Sequence, residues 1–415
     1  MTERRAGAGL LRGAAAMAVA MGLMNLANYV YTVVAARLLG PVDFGAFSAL
    51  MGVMIVLSVL SLGLQATGAR RISSDPEHVN AIERVVLGVT YRGALVLGVV
   101  CLALAPLFDA VLRLDSLPTA LLVSTAVVPV TIMGGQAGVL QGEQRWTPLA
   151  LVYLSQGLGR FAVGIGLILV WPSEFSAFLG VAIGAWVPVL IGSLALRRPR
   201  RPAPAVTGAG AALLHEVGSS SQALLAFFAL SNADILLARA VLDSGEAGLY
   251  AGGLILVKAI LFLPQFVVVI AFPSMARNGS SRGTLVKSLG IAGGLGLIAL
   301  VGVVVLPDLA QVFVGGSDFL GVKDSLWRFA IVGTLLSMIQ VLVYSALARQ
   351  HWLSIAMIWT TLVALVALSS TVDSATSLVA LVAVVDGVLF VGLIAFAFLR
   401  RPATREVEAL EQQRV

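Results

Sequence analysis

Long apolar segments separated by short polar turns make up nearly the whole chain. Each segment is close to the ~20 residues that a helix needs to cross a bilayer, and most charged side chains lie in the turns. Backbone groups in lipid must be hydrogen-bonded within their own segment, which favours helices over strands. The pattern predicts an all-α polytopic membrane protein with about twelve transmembrane helices.

An arginine- and proline-rich break divides these spans into two sets of six. Residues 197–210 contain four arginines and three prolines, a composition that favours a linker. We predict an N-lobe of residues 1–200 (helices 1–6), a cytoplasmic linker of residues 201–215, a C-lobe of residues 216–400 (helices 7–12) and a cytoplasmic tail of residues 401–415. The predicted spans are 10–39, 44–64, 85–108, 117–140, 148–171, 175–196, 223–242, 247–272, 288–306, 327–348, 352–368 and 375–399, with a polar stretch at 65–83.

A motif at the first turn, residues 32–50, returns in the second half as residues 235–254. Both copies end a helix with Ala-Arg and continue with a polar turn, a glycine and an aromatic residue two positions later. Two shorter matches follow, and the spacings are 202 to 207 residues. The alternative is that such helix ends recur in any helical membrane protein. The matched positions are Arg37 and Arg239, Gly45 and Gly248, Phe47 and Tyr250, Ala69-Arg70 and Ala276-Arg277, and Gln144-Arg145-Trp146 and Gln350-His351-Trp352.

Because six is an even number, both halves enter the membrane from the same side. The repeat is therefore predicted to be parallel, giving two pseudo-symmetric six-helix lobes related by an axis along the membrane normal. In folds of this kind the ligand lies between the repeats.

Composition excludes several classes of protein. A mean hydropathy of +0.99 with 12% charged residues does not suit a soluble domain, which carries about 25%. One cysteine, Cys101, permits no disulfide, and the three histidines lie far apart in separate polar turns. We therefore expect no metal and no cofactor. No phosphate-loop motif is present, and we predict no enzymatic activity.

Most of the 27 basic residues fall in turns on one side of the predicted membrane. The positive-inside rule then places both termini in the cytoplasm. The apolar stretch that follows Arg12 is too long for a signal-peptide core, so we interpret it as an uncleaved first span. Basic residues assigned to the outside are Arg37, Arg113, Arg239, Lys323 and Arg328.

Four ionisable residues fall within apolar spans. Insertion of each costs at least about 2.5–3.5 kcal/mol, which makes each a candidate functional residue. Arg160 and Lys258 are predicted at the same depth, one in each half, and together would suit an anionic ligand such as a diphosphate. Asp234 and Asp386 are candidates for coupling an ion. The alternative is that these groups form buried salt bridges.

Uncharged and turn residues offer further candidates. Arg37 and Arg239 are interpreted as anchors of helix ends, opposite Asp43 and Glu246. Four amide side chains could hydrogen-bond a sugar or a phosphate, although such side chains more often make interhelical contacts. These are Asn25, Asn28, Gln156 and Asn232.

The turn motifs resemble those of polysaccharide biosynthesis membrane proteins, the Wzx-type oligosaccharide flippases of the multidrug/oligosaccharidyl-lipid/polysaccharide (MOP) exporter superfamily. The resemblance implies a MATE-like fold of two lobes around a V-shaped cavity that opens alternately to each side. It implies outward flipping of an undecaprenyl-diphosphate-linked oligosaccharide across the bacterial cytoplasmic membrane, with Arg160 and Lys258 as counterparts of cationic cavity residues. The matching segments are 36–50, 63–71, 140–151, 232–253, 260–277 and 306–316.

Other functions remain open at this point. A cation-coupled multidrug exporter of the same fold would use Asp234 and Asp386 for its coupling ion. A non-transporting member of a polysaccharide assembly complex would instead bind polymerase or other assembly proteins. Expected partners are the lipid-linked oligosaccharide, membrane lipid and such assembly proteins, with no nucleic acid. A membrane-embedded glycosyltransferase would need a larger outer loop than residues 307–326.

Overall fold

The computed structural model describes residues 2–198, 209–262, 282–349 and 352–399, and regular structure in these ranges is helical throughout. The predicted all-α fold class is confirmed. The elements are α1 (Thr2–Leu57), α2 (Val59–Ser74), α3 (Val79–Leu112), α4 (Leu117–Gly142), α5 (Trp146–Val170), α6 (Glu174–Gly184), α7 (Trp186–Leu196), α8 (Ala209–Val241), α9 (Ser244–Phe262), α10 (Arg282–Val305), α11 (Pro307–Val314), a 3-10 helix (Ser317–Ser325), α12 (Leu326–Arg349), α13 (Trp352–Ser369) and α14 (Ala375–Leu399).

Helix α1 is broken into two arms at Gly40. Gly40 has φ 70° and ψ 176°, a conformation that favours glycine, and Pro41 begins the second arm. Residues 16–74 form one apolar segment of 59 residues, about 88 Å of helix against a core of ~30 Å. The two arms of α1 therefore cross the membrane separately.

Eleven segments of the described chain are long and apolar enough to span a bilayer, and the break at Gly40 makes twelve crossings. Helices α6 and α7 meet at Ala185 and form one of these segments. The outward faces carry large exposed apolar residues, among them Leu95, Val170, Ile298 and Val388. An apolar surface of this extent needs lipid around it, and the protein is a multi-pass membrane protein.

Several helices extend beyond their predicted spans. The polar stretch at 65–83 is mostly helical, since α2 continues to Ser74 and α3 begins at Val79. Likewise α8 begins at Ala209, within the predicted linker, and buries Leu213 and Val217. Hydropathy locates the part of a helix that lies in lipid, not the end of the helix. The rest of the linker, the tail, Ala276-Arg277 and Gln350-His351 lie outside the described residues, and the lobe boundaries stay a prediction.

The helices of each half pack mainly against one another. In the first half α3 lies against α4, and α5 lies against α1, α6 and α7. In the second half α12 contacts α9, α10 and α14, and α13 contacts α8 and α14. The halves meet where α1 contacts α8 and α9, and where α2 and α3 contact α8.

The repeated turns contact each other directly. A Cβ on Gly45 would lie 3.0 Å from the Cα of Gly248, and a Cβ on Gly248 would lie 2.1 Å from the carbonyl oxygen of Pro41. The repeat-related aromatic residues pack within their own halves, Phe47 on Tyr31 and Tyr250 on Phe329. Equivalent glycines therefore face each other across the boundary, as a pseudo-twofold arrangement requires.

Residues 307–326, predicted as an outer loop, are folded against the core. They form α11 and the 3-10 helix, and Val314, Phe319 and Val322 are almost completely buried. Phe319 packs edge-on against Phe44 of the first half, with 5.9 Å between ring centroids. This segment is part of the contact between the halves.

Arg37 and Arg239, expected to anchor helix ends opposite Asp43 and Glu246, hydrogen-bond to backbone carbonyls instead, and Asp43 attracts Arg239 only at longer range. Arg37 donates to the carbonyl of Val312, and Arg239 donates to the carbonyls of Leu112 and Arg113. Among the described residues neither arginine forms a salt bridge. Each reaches across to the other half because its own turn lies on the boundary.

At the opposite end of the molecule the halves are joined by an ion-paired cluster. Glu216 on α8 accepts a hydrogen bond from Nε of Arg71 at 2.8 Å and also pairs with Arg70. Both arginines lie in the last turns of α2.

Candidate functional site: a cationic cavity between the halves

A cavity of about 260 Å³ lies between the two halves. Both arms of α1 and helix α5 line it from the first half, and α8 and α9 line it from the second. Apolar side chains form most of its wall. Its polar and charged lining consists of Asn28, Tyr29, Tyr31, Thr32, Ser48, Arg160, Asn232 and Lys258.

Arg160 reaches the cavity from α5, whose backbone is tightly enclosed. A Cβ on Gly184 would lie 2.8 Å from the Cα of Arg160, and a Cβ on Gly157 would lie 2.7 Å from the Cα of Met24. These close approaches fix α5 between α1 and the α6–α7 segment. Within the described chain no hydrogen bond or salt bridge to the Arg160 guanidinium is found, so its donors are available to a ligand.

Lys258 enters from α9 and is held by the second half. Its Nζ donates to the carbonyl oxygen of Ser231 at 3.1 Å and to Oδ1 of Asn232 at 2.9 Å. The amide nitrogen of Asn232 donates in turn to the carbonyl of Phe228 at 2.8 Å. Asn232 therefore orients the ammonium group, a role that its prediction as a direct ligand did not include.

The electrostatic character of the cavity is positive. Neither cation lies within ion-pair distance of a carboxylate in the part of the chain that the structure describes. No aspartate or glutamate is among the described lining residues. The arrangement can bind an anion between a planar guanidinium and an ammonium group.

Two of the predicted amide residues lie elsewhere. Asn25 is half-buried in the first arm of α1 and is not among the residues that line the cavity. Gln156 faces a narrow crevice between α4, α5 and α7, although Arg160 borders that crevice as well. Asn28 does line the cavity, and its buried Oδ1 has no partner among the described residues.

The two buried aspartates lie behind the cavity wall. Asp234 on α8 accepts hydrogen bonds from the hydroxyl of Tyr250 at 3.1 Å and from the amide of Ile235. Asp386 on α14 interacts electrostatically with Asp234, and its Oδ2 has no partner in the described chain. The structure thus brings both ion-coupling candidates to one buried cluster beside Lys258.

Sequence reasoning missed several lining residues. Tyr31 packs on Phe47 and donates its hydroxyl proton to the carbonyl of Ala177 at 2.7 Å. Thr32 and Ser48 add hydroxyl groups. The available signal was the helical period: residues 48, 51, 52 and 55 of α1 and residues 251, 254, 255 and 258 of α9 each lie on one face.

Comparison with solved structures shows the fold. An inward-facing multidrug resistance MATE family transporter of the MOP superfamily is similar over 94% of this chain and 96% of its own, with 16% identity and a TM-score of 0.68. The lipid II flippase MurJ in an inward closed conformation is similar over 93% of this chain and 88% of its own, with 12% identity and a TM-score of 0.73. The eukaryotic MATE transporter AtDTX14 is similar over 98% of this chain and 99% of its own, with 14% identity and a TM-score of 0.62. No curated protein matches the sequence.

The family itself is shown by the sequence. The family model described as "Polysaccharide biosynthesis protein" matches residues 10–279, well over half of the chain. This stretch contains the repeated turns, α5 with Arg160 and α9 with Lys258. With a positive cavity between two similar sets of six membrane crossings, the chain belongs to the polysaccharide biosynthesis protein family and has the fold of the MOP superfamily.

Proposed function

We propose that the protein is a flippase that moves undecaprenyl-diphosphate-linked oligosaccharide across the bacterial cytoplasmic membrane by alternating access. Arg160 and Lys258 hold the diphosphate, one from each half. The observation that carries this proposal is that both cations line one cavity and that, in the described chain, neither forms a direct salt bridge, Asp234 attracting Lys258 only from behind the cavity wall. A charge without a direct counter-ion in a membrane protein is costly unless a ligand neutralises it.

The chemistry of the two cations fits a diphosphate. The guanidinium of Arg160 presents parallel N–H donors to the oxygens of one phosphate, and the ammonium of Lys258 acts as a point charge for the other. Asn28, whose Oδ1 has no partner among the described residues, and Thr32 can accept hydrogen bonds from a sugar hydroxyl next to the diphosphate. Tyr29 and the apolar wall suit the lipid end of the same ligand.

The size of the cavity indicates that the halves must part. At about 260 Å³ it lies below the ~300–1,000 Å³ of ordinary ligand pockets. That volume accommodates a head group but not an oligosaccharide. Loading and release of the proposed substrate therefore require the boundary between the halves to open, as alternating access supposes.

The charge bias of the sequence supports the proposed sidedness. With both termini in the cytoplasm, the cluster of Arg70, Arg71 and Glu216 lies on the cytoplasmic side, and the turn at Gly40 lies on the outer side. Insertion of a tagged reporter after residue 399 and at the Gly40 turn tests this orientation.

Complementation of a deletion strain tests the flippase proposal. We expect Arg160→Ala and Lys258→Ala each to lower surface polysaccharide strongly, because each removes half of the anion site. Arg328→Ala, on the same molecule but bound to Thr376 within one half, is the control and should complement fully. If both cavity variants restore wild-type polysaccharide, the diphosphate assignment is wrong.

A cation-coupled multidrug exporter is the second candidate. It is favoured by the buried cluster of Asp234, Tyr250 and Asp386, in which one carboxylate oxygen has no described partner. It predicts that Asp234→Asn and Asp386→Asn lower drug resistance and leave surface polysaccharide intact. The flippase proposal predicts unchanged drug resistance in these two variants, and loss of surface polysaccharide in Arg160→Ala and Lys258→Ala instead.

A further inference from the structure

Two repeat-related arginines make matching contacts across the boundary between the halves, on the face that holds the Gly40 turn. Nη2 of Arg37, in the first half, donates to the carbonyl of Val312 at 2.6 Å. Nε of Arg239, in the second half, donates to the carbonyl of Leu112 at 2.8 Å, and its Nη2 donates to the carbonyl of Arg113 at 2.5 Å. Each half therefore contributes one arginine donor, and its backbone carbonyls accept hydrogen bonds from the arginine of the other half.

A third arginine, Arg113, returns bonds from the first half to the second at the contact between α3 and α8. Arg113, at the end of α3, donates to the carbonyls of Ala240 at 2.7 Å and Leu242 at 3.0 Å. The ends of α3 and α8 thus exchange arginine–carbonyl bonds in both directions. We call Arg37, Arg113 and Arg239 with their carbonyl acceptors the arginine clasp.

The acceptors of the clasp share a physical property. Leu112, Ala240 and Val312 lie in the last turns of α3, α8 and α11, and Arg113 and Leu242 directly follow two of these helices. Carbonyls at a helix C-terminus have no intrahelical donor and carry the negative end of the helix dipole. An arginine from the opposite half both donates hydrogen bonds to these carbonyls and neutralises the negative end of the helix dipole. It can do so only while the halves are together.

The clasp is also suited to release. Arg239 is only 4% exposed, yet its hydrogen bonds go to carbonyl oxygens, and Asp115, Glu174 and Asp43 attract it only from beyond ion-pair distance, so parting breaks no direct salt bridge among the described residues. Water can replace every bond once the ends separate. A buried salt bridge at this place would be much harder to break.

We propose that the arginine clasp is the latch of this face, that is, a gate. Its hydrogen bonds hold the two halves together in the conformation seen here, and they must break before the cavity opens on that side. The proposal rests on the proposed function only in treating that opening as a step of transport. The symmetry of the latch follows from the repeat, since Arg37 and Arg239 are equivalent positions of the duplicated turn.

Distance measurement between spin labels on the two halves tests the latch. Cysteines replace Leu117 at the start of α4 and Leu320 in the 3-10 helix, both exposed on this face, in a Cys101→Ala background that removes the native thiol. The purified full chain in nanodiscs, without substrate, should give mainly one short distance. In Arg37→Ala/Arg239→Ala a longer distance should appear, with the ratio of open to closed protein raised at least about tenfold.

Two further variants complete the experiment. Arg328→Ala removes an arginine–backbone bond that lies within the second half and should leave the distance distribution unchanged. The single variant Arg37→Ala removes one bond from an exposed side chain, and carries the test with a smaller shift if the double variant does not fold. A double or single variant with the parent's distribution, or a parent that is already mainly open, overturns the proposal. Because no substrate is present, failure of the flippase assignment would not affect this result.

Discussion

At the scale of single residues, the two cavity cations differ in how they are held. Lys258 is fixed by Ser231 and Asn232, whereas Arg160 has no described partner. An ammonium group held by neutral acceptors keeps its charge available to a ligand, and its position depends on those acceptors. Asn232 is therefore a positioning residue for Lys258.

Asn232→Ala should weaken binding of a lipid-linked diphosphate about three- to tenfold, the value of one hydrogen bond of roughly 0.5–1.5 kcal/mol. In a Lys258→Ala background the same change should have little further effect, because the group that Asn232 orients is gone. Ligand binding to the four purified proteins of this cycle provides the measurement. Asn25→Ala is the control, and additive losses in the cycle would contradict the positioning role.

The two cations could be predicted because charged residues are rare in apolar spans, so that a single charged side chain there is enough to mark a candidate site. The amide residues could not be assigned with the same success. Asn25 and Asn28 lie on the same arm of α1, but their directions differ by about 60° around the helix axis, and only Asn28 lines the cavity. Composition does not reveal which face of a buried helix borders a cavity.

At the scale of elements, the repeated turn was predicted and its contact was not. The sequence motif identifies Gly45 and Gly248 as equivalent positions. Their mutual packing follows only when the two halves are assembled, since the neighbour of each glycine is the backbone of the other copy. Helix ends outside the membrane, such as those at Ser74 and Ala209, escaped prediction because no apolar pattern marks them.

Gly248→Ala should destabilise the protein by about 1–3 kcal/mol, because the new Cβ would meet the Pro41 carbonyl at 2.1 Å. Gly302→Ala is the matched control, since a Cβ there meets nothing within 4 Å and alanine favours a helix by roughly 0.5–1 kcal/mol. Thermal unfolding in detergent should show a lower midpoint for the first variant and an unchanged or higher one for the second. Equal midpoints would show that the turns do not pack as described.

The cluster at the other end of the molecule predicts a pH dependence. Partial burial opposes ionisation of Glu216, but hydrogen bonds from Arg71 and Arg70 outweigh it and lower the pKa of that carboxyl. A lowered pKa contributes stability that is complete above the ordinary value for glutamate and is lost as pH falls through the lowered value.

The difference in unfolding midpoint between the wild type and Glu216→Gln should therefore be largest near neutral pH and should shrink at acid pH. Thermal unfolding of both proteins over a pH series measures it. Glu77→Gln, at an exposed turn position, serves as a control for the loss of one negative charge. A difference that stays constant across the series would rule out the ionised pair as its source.

At the scale of the whole molecule, the duplication explains why a cavity lies between two similar halves. It does not explain the two cations, because Arg160 lies in the fifth crossing of the first half and Lys258 in the second crossing of the second half, which are not repeat-related positions. Two similar halves meet along α1, α8 and α9, and the cavity lies on that boundary. The repeat predicted a site between the halves. It did not predict the arginine clasp, whose acceptors are backbone carbonyls that every residue type carries.

The central claim is that Arg160 and Lys258 together bind a diphosphate, and binding to the purified protein tests it most directly. Undecaprenyl diphosphate and undecaprenyl monophosphate are compared on the wild type, Arg160→Ala, Lys258→Ala and Arg328→Ala. The account predicts tighter binding of the diphosphate by the wild type, and loss of that preference in both cavity variants but not in Arg328→Ala. Equal affinity of the wild type for the two lipids, or a preference that survives both cavity substitutions, would contradict it.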